Sequence, residues 1–143
     1  MPFIDTDKLI ESESKKSINC IFHEFGEDYF RELEYKLIRR NMKPHVIACG
    51  GGLPIYNNNI EYINKNGISI YLKCNIDILF NRLNNNLERP ILKNLTDFDL
   101  LQKISTQLIE REKLYNNAKF RVNVSNKGIE SILREIHSFI SSI

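Results

Sequence analysis

Two hydrophobic periods alternate along this chain. Short apolar runs at Phe3-Ile4, Val46-Ile47-Ala48-Cys49, Ile68-Ser69-Ile70-Tyr71-Leu72 and Arg121-Val122-Asn123-Val124 have the length and composition of strands. Between them apolar residues recur at helical spacing. One helix is predicted to start after Asp7. Ile18, Ile21, Phe22 and Phe25 then share a helical face, with Ser17 as N-cap and Gly26 as the stop. Residues 28–40 form the next predicted helix, with Phe30, Leu33 and Leu37 inward and Arg39 and Arg40 set favourably against its dipole. Beyond Pro44, Ile60 and Ile63 mark a short helix that Gly67 ends. Ile76, Leu79, Phe80, Leu83 and Leu87 mark another. Asn94-Leu95-Thr96-Asp97 offers a cap for a long helix carrying Phe98, Leu101, Ile104 and Leu108, and Ile129, Ile132, Leu133, Ile136 and Ile140 line a C-terminal helix. Strands alternating with helices indicate an α/β fold with a parallel sheet. Without a repeat or a linker-like segment, residues 1–143 read as one domain.

Composition narrows the classes. At 42% hydrophobic, 143 residues suffice for a real core. The net charge of +2 comes from interspersed cations and anions, which argues against a nucleic-acid footprint. Cys20, Cys49 and Cys74 lie far apart without CxxC spacing, as expected of reduced thiols in a cytosol-like compartment. Cys49 reads as a small buried filler. No apolar run approaches the roughly 18 residues of a membrane helix, and acids fall early in the chain, so neither span nor signal peptide is expected. His23, His45 and His137 lack metal spacing and read as structural or surface residues. The asparagine runs, Asn57-Asn58-Asn59 among them, read as coding bias rather than as ligands.

Five segments carry chemistry. Asp5 and Asp7, two apart at a strand end, project to one face. There one carboxylate holds magnesium through water while the other takes a hydroxyl proton; alternatively, Asp7 only caps the following helix. Arg31, in Tyr29-Phe30-Arg31-Glu32-Leu33-Glu34, offers a planar fork for a carboxylate, or is a solvated helix charge. Gly50-Gly51-Gly52 permits close backbone approach, positive φ and N–H groups aimed at a ligand, or is simply a flexible turn. It is no P-loop, because Gly-Lys-Ser and Gly-Lys-Thr occur nowhere in the sequence. The remaining two are Glu88-Arg89-Pro90-Ile91-Leu92 and Glu110-Arg111-Glu112-Lys113-Leu114-Tyr115.

Taken in order, Phe3-Ile4-Asp5-Thr6-Asp7, Cys49-Gly50-Gly51-Gly52-Leu53-Pro54 and these last two segments make the chain resemble a shikimate kinase. The resemblance implies a three-layer P-loop kinase-like fold with strand order 2-3-1-4-5, and transfer of the γ-phosphoryl of ATP to the 3-hydroxyl of shikimate. It implies Mg2+ with ATP as co-substrate, and a monomer without nucleic-acid or membrane partners. It also implies a place in aromatic amino-acid biosynthesis, in a bacterial-type cytoplasm or a plastid.

By the same resemblance Asp5 lies near the metal, and Asp7 is catalytic and orients the substrate hydroxyls. Arg31 holds the substrate with Glu34 fixing it, Gly50, Gly51 and Gly52 line it with Gly51 in direct contact, and Arg111 is a second carboxylate ligand. Arg89 is the lid arginine over the transferring phosphoryl. Arg82 packs along the adenine, and Lys127 of Asn126-Lys127-Gly128 touches the nucleotide.

In that family the P-loop precedes the Asp-Thr-Asp segment, whereas here only Met1 and Pro2 do. The expectation is therefore a chain lacking strand 1, the P-loop and the first helix, with open strand edges and no activity of its own. The alternatives are a degenerate kinase-like protein that binds shikimate or a partner without catalysis, and a gluconate-type small-polyol kinase.

Overall fold

The computed structural model describes residues 1–40, 44–84 and 96–143, and the chain divides into two compact units, Met1–Asn66 and Gly67–Ile143.

In the first unit, β1 (Phe3–Asp5) passes directly into α1 (Thr6–Ser14). Asp5 makes the transition. Its Oδ1 accepts hydrogen bonds from the Asp7 and Lys8 N–H groups at 3.0 and 3.1 Å, satisfying donors that the first helical turn leaves over. The cap is thus Asp5, and the alternative that Asp7 caps this helix is overturned. α2 (Ile18–Ile38) starts at Ser17, whose Oγ accepts from Cys20 N–H at 3.2 Å. Gly26, at φ 82 and ψ 173, breaks α2 in the middle, so the two predicted helices are the arms of one kinked element. β2 (Val46–Ala48) pairs in parallel with β1, Phe3 opposite Val46 and Asp5 opposite Ala48. A 3-10 turn (Tyr56–Asn58) then leads into α3 (Asn59–Asn66). Ile10, Ile21, Phe30 and Leu37 form the core, with Leu33 and Phe22 against it. Phe25 was expected to face inward. It is the last residue before the kink, and it stays exposed against Tyr29.

In the second unit, β3 (Ile70–Lys73) begins two residues after Ile68, because Ser69 serves as its anchor: Ser69 Oγ accepts from Lys119 N–H at 2.9 Å and its carbonyl from Phe120 N–H at 3.0 Å. α4 (Ile76–Asn84), α5 (Asp97–Tyr115), β4 (Phe120–Asn123) and α6 (Ile129–Ser141) follow. Thr96 and Asp99 form a reciprocal capping box at the start of α5. Cys74, Val122 and Val124 make the core, joined by Ile132 and Ile136 of α6. On α5 the buried pair is Leu100 and Ile104, while Phe98 and Leu101 are exposed, so the inner stripe is turned from the predicted one. Ile129, Leu133 and Ile140 of α6 are likewise exposed. Cys74 is the buried thiol, and Cys49, expected as the filler, is exposed. Leu87, Asn94 and Leu95 lie outside the described residues.

β3 and β4 also pair in parallel, Ile70 opposite Phe120. The strands therefore make two two-stranded sheets, β1-β2 and β3-β4, rather than one. By chain order these correspond to the neighbours 2-3 and 4-5 of the implied order, and among the described residues no further strand pairs with either. Each pair is bridged by helices, as a parallel connection requires. No described helix is long and apolar enough to cross a membrane.

Candidate functional site

Helical spacing places Arg31 and Glu34 on one side of α2. Arg31 Nη1 donates to Glu34 Oε2 at 2.6 Å, and its Nε and Nη2 donate to Glu27 Oε1 at 3.2 and 2.8 Å. Held on two sides, the Arg31 side chain is only 16% exposed, and the Glu34 side chain only 1%. Arg31 is therefore no solvated helix charge. Glu27 was missed in the sequence, although its position four residues before Arg31 on the same helix was a usable signal.

The residues after β2 form a tight turn. Leu53 N–H donates to the Gly50 carbonyl, and Ile55 and Tyr56 N–H both donate to the Gly52 carbonyl, each at 3.2 Å. Among the described residues Gly26 is the only glycine with positive φ, so left-handed backbone is not what this turn requires. Close approach is. A Cβ on Gly52 would lie 2.3 Å from Arg31 Cζ, so the guanidinium occupies the space a side chain would take.

Over Gly50 two acceptors converge. Asp7 Oδ1 and Glu34 Oε1 are both buried without a hydrogen-bond partner, and a Cβ on Gly50 would stand 3.9 and 3.8 Å from them. Buried acceptors left without donors are costly, so the arrangement calls for donors from a ligand. Desolvation raises the pKa of Asp7 most, and Asp5 adds to the rise while Arg31 opposes it. Burial likewise raises Glu34, against its hydrogen bond from Arg31. Two hydroxyl-accepting oxygens beside a guanidinium suit a small polyhydroxy carboxylate. The Cys49 thiol is pushed up to about 11 by desolvation and then by the charges of Glu34 and Asp7, even though the residue as a whole is exposed.

Magnesium needs only one or two carboxylates when phosphate oxygens and water complete its shell. Asp5 fits that modest requirement, because the cap uses Oδ1 and not Oδ2. No cluster of three or more His, Cys, Asp or Glu side chains able to hold a metal occurs among the described residues.

In the second unit, a cavity of about 410 Å³ is lined by Arg82 and Lys127 together with Leu72, Val124, Ile129 and Leu133. Two cations on an apolar wall can hold a planar base and the phosphates beyond it. Lys127 Nζ also pairs with Glu135 Oε1 at 2.6 Å. Arg111 is half-buried on α5, next to Glu112, whose Oε1 pairs with Lys73 at 2.5 Å. The first unit thus brings together Asp5, Asp7, Arg31, Glu34 and the Gly50–Gly52 turn, and the second brings together Arg82 and Lys127. Arg89 lies outside the described residues.

A protein-family model described as shikimate kinase matches residues 1–141. A shikimate kinase of Flavobacterium johnsoniae is 36% identical over 141 residues, covering 95% of this chain and 82% of that protein. Among solved structures, the 1.7 Å crystal structure of shikimate kinase from Bacteroides thetaiotaomicron superposes with a TM-score of 0.87 at 31% identity, covering 99% of this chain and 84% of the other. Shikimate kinase from Acinetobacter baumannii in complex with shikimate gives a TM-score of 0.83 at 29% identity, covering 99% and 79%.

Proposed function

The chain belongs to the shikimate kinase family, and on that premise we propose that the protein transfers the γ-phosphoryl of ATP to the 3-hydroxyl of shikimate, in the cytoplasm, as a step toward the aromatic amino acids. The observation that carries this reading is the pair of donorless oxygens, Asp7 Oδ1 and Glu34 Oε1, facing the same space beside Arg31.

Asp7 accepts a hydrogen bond from the acceptor hydroxyl and takes its proton as the oxygen bonds phosphorus. Its raised pKa moves it toward the range in which a general base works well. Glu34 fixes a neighbouring hydroxyl and holds Arg31 by its other oxygen. Arg31 and Arg111 bind the carboxylate, and the Gly50, Gly51 and Gly52 backbone lines the ring, with Gly51 in direct contact. Arg82 and Lys127 hold the nucleotide, and Arg89 neutralises charge on the transferring group. Asp5 is the residue that would hold Mg2+, which would supply charge neutralisation to the phosphates. The protein works as a monomer.

The test measures ADP formation with shikimate, quinate and gluconate, using the chain joined at Met1 to a P-loop-bearing segment from a relative. Shikimate-dependent turnover is expected. Turnover with gluconate and none with shikimate would overturn the assignment in favour of the small-polyol reading.

A further inference from the structure

The asparagine run ahead of α3 has a structural purpose, contrary to its reading as coding bias. Asn57 and Asn58 take positive φ, 46 and 53, a region asparagine tolerates better than most residues. Asn59 is fully buried. Its Nδ2 donates to the Leu53 carbonyl at 2.9 Å, and its Oδ1 accepts from Arg39 Nη1 at 2.8 Å. Arg39 is itself immobilised. Its Cζ lies 3.4 Å from the ring centre of Tyr35 and 4.4 Å from that of Tyr62, and Nη1 also donates to the Tyr35 carbonyl. One amide therefore joins the residue that closes the glycine turn to the same helix, α2, that carries Arg31 and Glu34.

Resting on the function proposed above, we propose that Asn59 is a positioning residue for the acceptor substrate: through Leu53 and Arg39 it holds the Gly50–Gly52 turn in register with Arg31 and Glu34. The register has little tolerance, because the Arg31 guanidinium already fills the space over Gly52. A turn that slides on α2 moves Gly50 away from the two acceptor oxygens and shifts Gly52 against the guanidinium at once. Leu53 is itself wholly buried, so its carbonyl has no solvent to turn to when the amide is removed.

The test uses Asn59→Asp, which keeps an acceptor for Arg39 but replaces the donor to Leu53 by a repelling oxygen. Arg39→Lys, milder because that side chain is partly exposed, keeps the charge but loses the planar fork. Two quantities are read on the whole chain: hydrogen exchange of the amides at residues 52–56 and shikimate affinity by calorimetry. Both variants should exchange faster in that turn, with exchange in the Ile21–Phe30–Leu37 core unchanged. Asn59→Asp should weaken shikimate binding by about fivefold or more, the loss expected of one buried hydrogen bond. Unchanged turn exchange in both variants overturns the brace, and so does a loosened turn with wild-type shikimate affinity. A wild-type chain that binds no shikimate overturns the functional reading instead, leaving the exchange data to judge the brace alone.

Discussion

Arg31 and Gly52 compete for one volume: the guanidinium carbon stands 2.3 Å from where residue 52 would place a β-carbon. The displaced group in Gly52→Ala is the tip of a flexible side chain, so the fold can yield there at little cost while the site cannot. Gly52→Ala should therefore melt within a few degrees of wild type and lose shikimate affinity by about tenfold or more, a change of roughly 1.4 kcal/mol. Calorimetric titration beside a thermal melt checks both. Retained affinity would mean that Arg31 is not held at a productive position by Gly52.

The two arginines proposed to bind the carboxylate can be separated by what each leaves behind. Arg31→Ala and Arg111→Ala should each weaken shikimate by about 1.5–3 kcal/mol, the range for a hydrogen bond to a charged group, with ATP affinity hardly changed. Only Arg31→Ala also strands the buried Glu34 without its cation, so that variant alone should lose substantial stability to urea. Shikimate affinity unaltered by Arg31→Ala would refute its role.

Asp7 and Glu34 also set a pH dependence. Both are raised above their ordinary values of 3.8 and 4.5, desolvation being the first cause in each. Between the ordinary and the raised value the folded chain holds protons that the unfolded chain has released. The contribution of this pair to stability therefore falls as pH rises through that window. Asp7→Asn removes one such group. Relative to wild type it should gain stability at pH 8 more than at pH 3, below the ordinary values of both groups, and it should lose turnover in the chain joined to a P-loop-bearing segment. Urea midpoints that shift equally at the two pH values would count against the coupling.

What the sequence made legible was mostly local. Ser17, Thr96 and Gly26 act where they were expected to, because a cap or a break depends on neighbours within a turn. The choice between Asp5 and Asp7 as cap turned on the last residue of β1, which pattern reading places only loosely. On α5, Leu100 and Leu101 sit side by side in sequence and either could lead a helical stripe; tertiary packing chose Leu100. Convergence of Asp7, Glu34 and Gly50 came from the family likeness and not from spacing, since only the fold brings such distant positions together. Asn59 carried no pattern signal, because its worth lies in two partners 6 and 20 residues away.

Cys49 should be slow to react despite its exposure. With the thiol pushed up to about 11, little thiolate exists near neutral pH. Iodoacetamide at pH 7.5, followed by mass spectrometry, should label Cys49 slowly. Glu34→Gln or Asp7→Asn should accelerate it by removing a nearby negative charge. Labelling of wild-type Cys49 at the rate of a free thiol would show that these carboxylates do not govern it.

Phosphoryl transfer needs a lysine near the β- and γ-phosphates, a hydroxyl on the metal and a cradle of backbone N–H groups. No Gly-Lys-Ser or Gly-Lys-Thr occurs between Met1 and Ile143. Residues 1–143 produced alone should therefore bind shikimate through Arg31, Glu34 and Asp7 yet show no measurable ATP-dependent turnover of it. The same sample should self-associate. β2 exposes Val46 at 54% and Ile47 at 41%, and β3 exposes Leu72 at 55%, on sheets of two strands each. Apolar strands of that kind recruit further strands. Sedimentation should show association, and joining a P-loop-bearing strand segment at Met1 should both restore turnover and, by pairing an open strand edge, reduce the association. A monodisperse 143-residue chain that melts cooperatively and consumes ATP with shikimate would sink both expectations together.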